Sequence, residues 1–486
     1  MSPTSLSPSA AAGAGGAVDP AGRLSTAAMR ELVNSGLTRP IAWRQAQLQR
    51  LDGLLSENEP AILEALSADL GKPPVEAYFE VVAVRQELRL AQKKLKRWMA
   101  PRPVPVPLSQ LPGRAELVAE PLGCVLIIGP WNYPFSLTLQ PLVSALAAGN
   151  TAVLKPSEQA PHTSALIARL VGRHLDFSVV AVQEGGADVA GELLELRFDH
   201  IFFTGGGRVG RLVMAAAART LTPVTLELGG RSPAIVLADA DLDVSARRLA
   251  WGKGLNAGQT CIAPDHLLVE DSVRPALIER LRGEFQRAYG DDPLASPDLA
   301  RIVNQAQFER LLALLEGARR GGRVLSGGQV NPQTCRIAPT LIACDSASEL
   351  LSRGCDDDPL LAGELFGPLL PVVGVSGLPQ AIDLLRQGPK PLALYLFSRS
   401  QAAQDQLLTS TSSGGVCLND VVMQAVVPEL SFGGVGESGM GRYHGQAGFD
   451  TFSHLRSVLR RPFRFDLPLR YPPYGDRLAL MKRLLG

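Results

Sequence analysis

From Leu117 onward the chain alternates short, almost uninterrupted apolar runs with longer stretches in which apolar residues recur at helical spacing. The runs are CVLII (124–128), TAVLK (151–155), VVAVQ (179–183), HIFFT (200–204) and PVTLEL (223–228), followed by AIVL (234–237), HLLVE (266–270) and LALYLFS (392–398). Strands apolar on both faces belong inside a parallel sheet wrapped by helices, so the pattern predicts an α/β protein with a first sheet ending near Leu228. A second αβ region runs from about Ser232 to Gly415. Residues 40–99 instead show helical periodicity with frequent charges, and are expected as surface-packed helices that carry no site. Between the two patterns, proline at 101, 103, 105, 107 and 112 excludes a helix or an inner strand and leaves a connector or an edge excursion.

A chain of 486 residues is too long for one core, so two or three domains are expected. With 48 basic and 47 acidic residues the net charge is +1, which gives no electrostatic footprint for nucleic acid and suits a small neutral substrate. The six cysteines form no CxxC pair, which points to a reducing compartment and a cytoplasmic location. The six histidines form no zinc motif, and CDDD at 355–358 reads as a solvated loop, so no metal is expected. Residues 1–23, rich in Ala, Gly, Ser and Pro, lack the features of a signal or transit peptide and read as a disordered tail. No apolar stretch approaches the roughly 18 residues of a spanning helix. At the other end Leu478, Met481 and Leu485 fall at helical spacing, and a short helix packed on the protein is expected there, with no membrane anchor.

Ligands of such sheets gather at the carboxyl ends of the strands, and three of those ends are chemically unusual: GPWNYPF, KPSE and FTGGGRVG. The last opens a helix whose N-terminus can receive a phosphate. The acid suited to ribose hydroxyls, Glu158, lies upstream of it, so this is no standard dinucleotide turn. Glu227 in LELGG ends an apolar strand, where a carboxylate is either used or held in a structural ion pair. Glu364 in GELFGP is a second acid in apolar company. Asn132 is either an Asx-turn residue or an amide donor aimed at a reacting oxygen. Cys261, in NAGQTCIAPD, is either a nucleophile on a loop or a buried thiol.

Taken in order, PWNYPF, LKPSE, FTGG, LELGG, NAGQTC, ELFGP and SFGGVGESGMGRYHG resemble the aldehyde dehydrogenase superfamily over almost all of residues 40–460. GQTCIAPD, KPLALYLFS, TSSGGVCLND and FDTFSH are similar to its class 3 branch, of the fatty-aldehyde and coniferyl-aldehyde type. The resemblance implies a Rossmann-like cofactor domain at 24–228 with a bridging excursion at about 100–116, and a catalytic domain at 229–415. Residues 416–486 would then add a bridging strand, a return to the first domain and a tail. It implies NAD(P)-dependent oxidation of an aldehyde to the acid, with Cys261 as nucleophile, Glu227 activating water and Asn132 donating to the oxyanion. For the cofactor it implies Lys155 and Glu158 at the adenine ribose, and Gly205, Gly206, Gly207, Arg208, Val209 and Gly210 by the pyrophosphate. Glu364 would bind the nicotinamide ribose, with Phe366 and Trp131 beside it. NAD is expected to be preferred and NADP tolerated, because Glu158 repels a 2′-phosphate while Lys155 offsets part of that repulsion. A homodimer acting on medium or long aliphatic or aromatic aldehydes is implied. Gly206, Arg231 and Gln424 stand where relatives often carry other residues, and Gln424 is expected to alter the mouth of the substrate site. An esterase or acyltransferase would keep the thiol chemistry without the cofactor residues, and a silent homologue would lack Cys261, Glu227 or Asn132.

Overall fold

The computed structural model describes residues 24–107, 110–354, 357–464, 466 and 468–485. The tail expected at 1–23, and Cys355 and Asp356 of the CDDD run, lie outside these residues.

Each apolar run forms a strand. In spatial order the first sheet takes Gly439–Met440, Val224–Leu228, His200–Gly205, Cys124–Ile128, Thr151–Lys155 and Val180–Val182. Neighbours are parallel except at the Gly439–Met440 edge, where Gly439 faces Glu227 in an antiparallel pair. Alternation along the strand explains why polar residues are missing from these runs. Val125 and Ile127 enter one core with Leu66, Leu88 and Leu142, whereas Cys124, Leu126 and Ile128 enter another with Met29, Val213 and Ala217.

The second sheet repeats this plan in the order Val324–Ser326, Thr340–Ala343, Leu369–Val375, Leu267–Glu270, Ala234–Val236, Ala393–Phe397 and Gly415–Leu418. A third, smaller sheet joins Arg102–Val104, Arg114–Pro121 and Ser453–Arg460, all antiparallel. Its outer strand contains Pro103, in keeping with an edge excursion, because an edge strand has no ladder bond to lose on that side.

Two expectations change. Residues 40–99 form the helices Ile41–Leu70 and Pro74–Met99, but these are not confined to the surface: Leu48, Leu55, Val81 and Leu88 are fully buried, and so are the charged Lys72 and Glu80. The second helix packs on Ser136–Ala148 and so faces the interior on more than one side. At the other end the helix Leu478–Leu485 forms as the spacing predicts, yet of the expected face Leu478 remains 67% exposed while Met481 is partly buried, so the packing is less complete than the pattern suggested. Among the described residues no helix is long and apolar enough to cross a membrane, and no group of three or more His, Cys, Asp or Glu is arranged to hold a metal.

Candidate active site

Strand ends of the first sheet deliver most of the candidate residues. Lys155 closes Thr151–Lys155, Gly205 closes His200–Gly205, Glu227 is the penultimate residue of Val224–Leu228, and Trp131 and Asn132 follow Cys124–Ile128. Cys261 comes from the other sheet, on the loop between the helix Leu242–Gly254 and the strand Leu267–Glu270.

That loop has an unusual backbone. Asn256, Ala257 and Gly258 are left-handed in succession, with φ of 51°, 52° and 74°, a conformation that costs about 1–3 kcal/mol for a residue such as alanine. Hydrogen bonds hold it in place. The Asn256 amide donates to Glu76 Oε2 at 2.8 Å, and Asn256 Nδ2 donates to the carbonyls of Asn132 at 2.9 Å and Gln259 at 3.1 Å. Gln259 Nε2 donates to the carbonyls of Asn256 at 3.0 Å and Arg301 at 2.9 Å. Gly258 has no room for a side chain, since a Cβ there would lie 2.3 Å from the Gly367 carbonyl. Asn132 Nδ2 donates to the Gln259 carbonyl at 3.1 Å, so the amide leans on the nucleophile loop two residues before Cys261.

Behind Asn132 lies a buried ion pair. Lys72 Nζ sits 2.5 Å from Glu80 Oε1, donates to the Asn132 carbonyl at 2.8 Å and lies 3.9 Å over the Tyr133 ring. Glu80 Oε2 accepts from the amides of Phe135 and Ser136 at 3.1 and 3.0 Å, at the start of the helix Ser136–Ala148. One carboxylate thus satisfies a helix N-terminus and neutralises the lysine that holds the Trp131–Asn132 turn. Both side chains are 0% exposed. Lys72→Met is expected to lower the unfolding free energy by about 3–5 kcal/mol in urea titration, since it strands a buried carboxylate, and adding Glu80→Gln should recover part of the loss. A loss below about 1 kcal/mol would show that water reaches Glu80.

Three titratable groups meet at the centre. The Cys261 thiol is pushed up to about 12 by burial, then by the nearby charges of Glu364 and Glu227. Burial drives Glu227 well above the usual carboxylate range, and neither of its oxygens has a hydrogen-bond partner. Burial and then Asp265 raise Glu364 to about 8. An unpaired buried carboxyl is costly and poised to exchange a proton. Cys261 also opens onto a tunnel of about 260 Å³ lined mostly by apolar groups, among them Phe79, Leu137, Trp251, Ile262, Val422 and Phe432.

A profile of the aldehyde dehydrogenase family matches residues 18–458. The chain belongs to the aldehyde dehydrogenase family. It is 47% identical to human aldehyde dehydrogenase family 3 member B1 over 93% of this chain and 95% of that protein. It is 45% identical to the dog "aldehyde dehydrogenase, dimeric NADP-preferring" over 93% and 97% of the two chains. The solved structure of substrate-bound Staphylococcus aureus AldH superposes with a TM-score of 0.89 at 40% identity, covering 94% of this chain and 98% of that one. These relatives place the chain in the class 3 branch. It is an NAD(P)-dependent enzyme that acts on aldehydes.

The residues fit such a cofactor. The helix Gly207–Ala218 has no side-chain cap, and a Cβ on Gly206 would meet nothing within 4 Å, which leaves an open cradle at an amide-rich helix start. Glu364 Oε1 is buried without a partner, and Glu364 lies so close over Gly229 that a Cβ there would be 2.0 Å from Oε2. Phe366, left-handed with φ 49°, meets Trp131 edge to face at 5.2 Å between centroids. Lys155 is buried and pairs with the half-exposed Glu158 at 2.9 Å. Arg208 and Val209 lie in the first turn of the helix.

Gln424 does not itself line the tunnel. Its neighbours Val422, Met423, Ala425 and Val426 line the tunnel, while Gln424 turns behind the wall and donates from Nε2 to the Tyr395 hydroxyl at 3.3 Å. Arg231 donates to the Leu361 carbonyl. Lys72, Glu76, Glu80 and Tyr395 escaped the sequence reading, as did the bonding role of Asn256 and Gln259 within NAGQTC. The legible signal was Glu80, an acid spaced with Ala77, Val81 and Val84 on a buried helix face.

Proposed function

We propose that the protein oxidises medium or long aliphatic and aromatic aldehydes to carboxylic acids, with Cys261 as nucleophile, Asn132 as oxyanion donor and Glu227 as general base. The observation that carries this reading is the apolar tunnel that Cys261 helps to line, beside a buried glutamate whose two oxygens have no partner. The Cys261 thiol would first lose its proton to solvent, the backbone amides of Cys261 and Ile262 favouring the thiolate against the burial that opposes it. The thiolate would then add to the carbonyl carbon. The Asn132 amide, with the Cys261 backbone amide, would face the oxygen as it gains charge, an arrangement worth about 3–4 kcal/mol per donor. NAD(P) supplies the hydride acceptor, for which Lys155, Glu158, Gly205–Gly210, Trp131, Glu364 and Phe366 would form the binding surface. Once a thioester has formed on Cys261, Glu227 would take a proton from the water that cleaves it. Tunnel walls with few polar groups keep other water away.

NAD is preferred and NADP tolerated on this reading: Glu158 faces the ribose hydroxyls, and its pairing with Lys155 softens the repulsion of a 2′-phosphate. With hexanal as substrate, kcat/KM should be higher with NAD, Glu158→Gln should narrow the gap, and pretreatment with a thiol alkylator should abolish activity with both. A preference for NADP in the native protein would mean that Glu158 turns away from the ribose. Alkylated protein that still reduces cofactor would remove Cys261 from the reaction.

The domains 24–228 and 229–415 are proposed on the first and second sheets, but the bridging strand expected from 416 is corrected. Gly415–Leu418 pairs with Ala393–Phe397 inside the second sheet, and within 416–486 it is Ser453–Arg460 that joins the excursion at about 100–116 in the third sheet. A homodimer is proposed because Gly415–Leu418 forms an outer edge of the second sheet, and an open edge needs a cover. Light scattering that gives a monomer at micromolar concentration would exclude it. A cytoplasmic, reducing location is supported by the free state of Cys124, Cys261, Cys335, Cys344 and Cys417, and cell fractionation tests it.

A further inference from the structure

Ile262, next to the nucleophile, and the wall residues Val422, Met423, Ala425 and Val426 line the same tunnel, and one hydroxyl joins the two segments. Tyr395 is fully buried on the strand Ala393–Phe397. Its hydroxyl donates to the Ile262 carbonyl at 2.5 Å and accepts from the Val422 amide and from Gln424 Nε2, each at 3.3 Å. A phenol has one proton to give and two lone pairs, so its whole capacity is spent between the nucleophile loop and the wall.

The wall is held in a costly shape. Val422 is left-handed, with φ 68° and ψ −34°, an outlier for a β-branched residue. The Met423 amide closes a tight turn across it by donating to the Val421 carbonyl at 2.7 Å. Gln424 Oε1 is buried without a partner, a second cost in the same segment. Val421 is wedged against the helix that leads into the nucleophile loop, where a Cβ on Gly252 would lie 2.4 Å from Val421 Cγ2. Released from the hydroxyl, Val422 has a strain to relax and room to move along the tunnel.

We propose that Tyr395 is a specificity-determining positioning residue. Its hydroxyl fixes Val422 against the backbone behind Cys261, and so sets the bore of the tunnel beside the reacting carbonyl, favouring slender or flat aldehydes over those branched at the α-carbon. The proposal rests on Cys261 as nucleophile and on the tunnel as the substrate path, and the test separates the two.

With full-length protein and saturating NAD, kcat/KM is measured for hexanal and 2-ethylhexanal in native, Tyr395→Phe, Gln424→Leu and Cys261→Ala protein, together with alkylation of Cys261 by iodoacetamide. Tyr395→Phe should cut the preference for hexanal by about tenfold or more, and Gln424→Leu by about threefold in the same direction, with alkylation within about twofold of native. A preference unchanged within about twofold in both variants overturns the clamp. An equal fall for both aldehydes, the mark of a purely structural tyrosine, overturns it as well, as does a larger change in alkylation, which would place the effect in the nucleophile loop. If Tyr395→Phe fails to fold, Gln424→Leu decides. Oxidation of either aldehyde by Cys261→Ala would instead sink the nucleophile reading.

Discussion

Glu227→Gln is expected to release a burst of reduced cofactor close to one equivalent per site and then to fall almost silent, with steady turnover down by roughly 10²–10⁴-fold. The amide keeps the shape of the acid and cannot take a proton. Glu227 suits the role of base in deacylation because burial raises its affinity for a proton and no hydrogen bond ties up either oxygen. Thioester formation does not use that proton transfer, and the burst is visible provided acylation outpaces deacylation. Glu364 is the competing acid, raised to about 8 and acting on the same thiol. Glu364→Gln should remove the burst itself, by weakening cofactor placement, and Cys261→Ala should abolish both phases. Normal turnover by Glu227→Gln, with a burst and no turnover from Glu364→Gln, would reverse the two assignments.

Asn132→Ala should lower kcat by about 10²–10³-fold and leave the aldehyde KM nearly unchanged, the signature of a donor used as charge develops. Asn132 is 3% exposed, its backbone carbonyl is fixed by Lys72 and Asn256, and its side-chain amide lies against the loop that carries Cys261. Asn132→Asp tests the donor separately from the shape, and should be no better than alanine because it replaces an N–H by a lone pair. A kcat within about threefold of native in Asn132→Ala, with a lowered melting temperature, would reduce Asn132 to a brace for the turn.

Sequence pattern revealed the strands because burial on both faces leaves uninterrupted apolar runs, as CVLII and TAVLK show. It revealed the candidate chemistry where short motifs break that pattern at strand ends. It misjudged Pro74–Met99 because charge was taken as a mark of solvent, although Glu80 and Glu87 share the buried face of Ala77, Val84 and Leu88. Lys72 and Tyr395 were illegible for another reason: their partners Asn132 and Ile262 lie 60 and 133 residues away. No local spacing encodes such a bond. Gln424 was legible as an oddity, but the side of the wall it faces depends on a left-handed turn at Val422 that no residue type announces.

The Gly439–Met440 strand bears on how this protein is made. It closes the open side of the strand that carries Glu227, and Gly439 suits the place because a Cβ would lie 2.1 Å from the Leu226 carbonyl. During synthesis Glu227 therefore leaves the ribosome more than two hundred residues ahead of the segment that covers its strand. For that interval, at the usual 5–20 residues per second, the nascent chain exposes a row of unpaired peptide groups beside its own base for about 10–40 seconds. Ser453–Arg460 is later still and pairs with Arg114–Pro121. Such distant closures slow folding, and a chain interrupted before Gly439 would hold every candidate catalytic side chain while remaining inactive and prone to self-association.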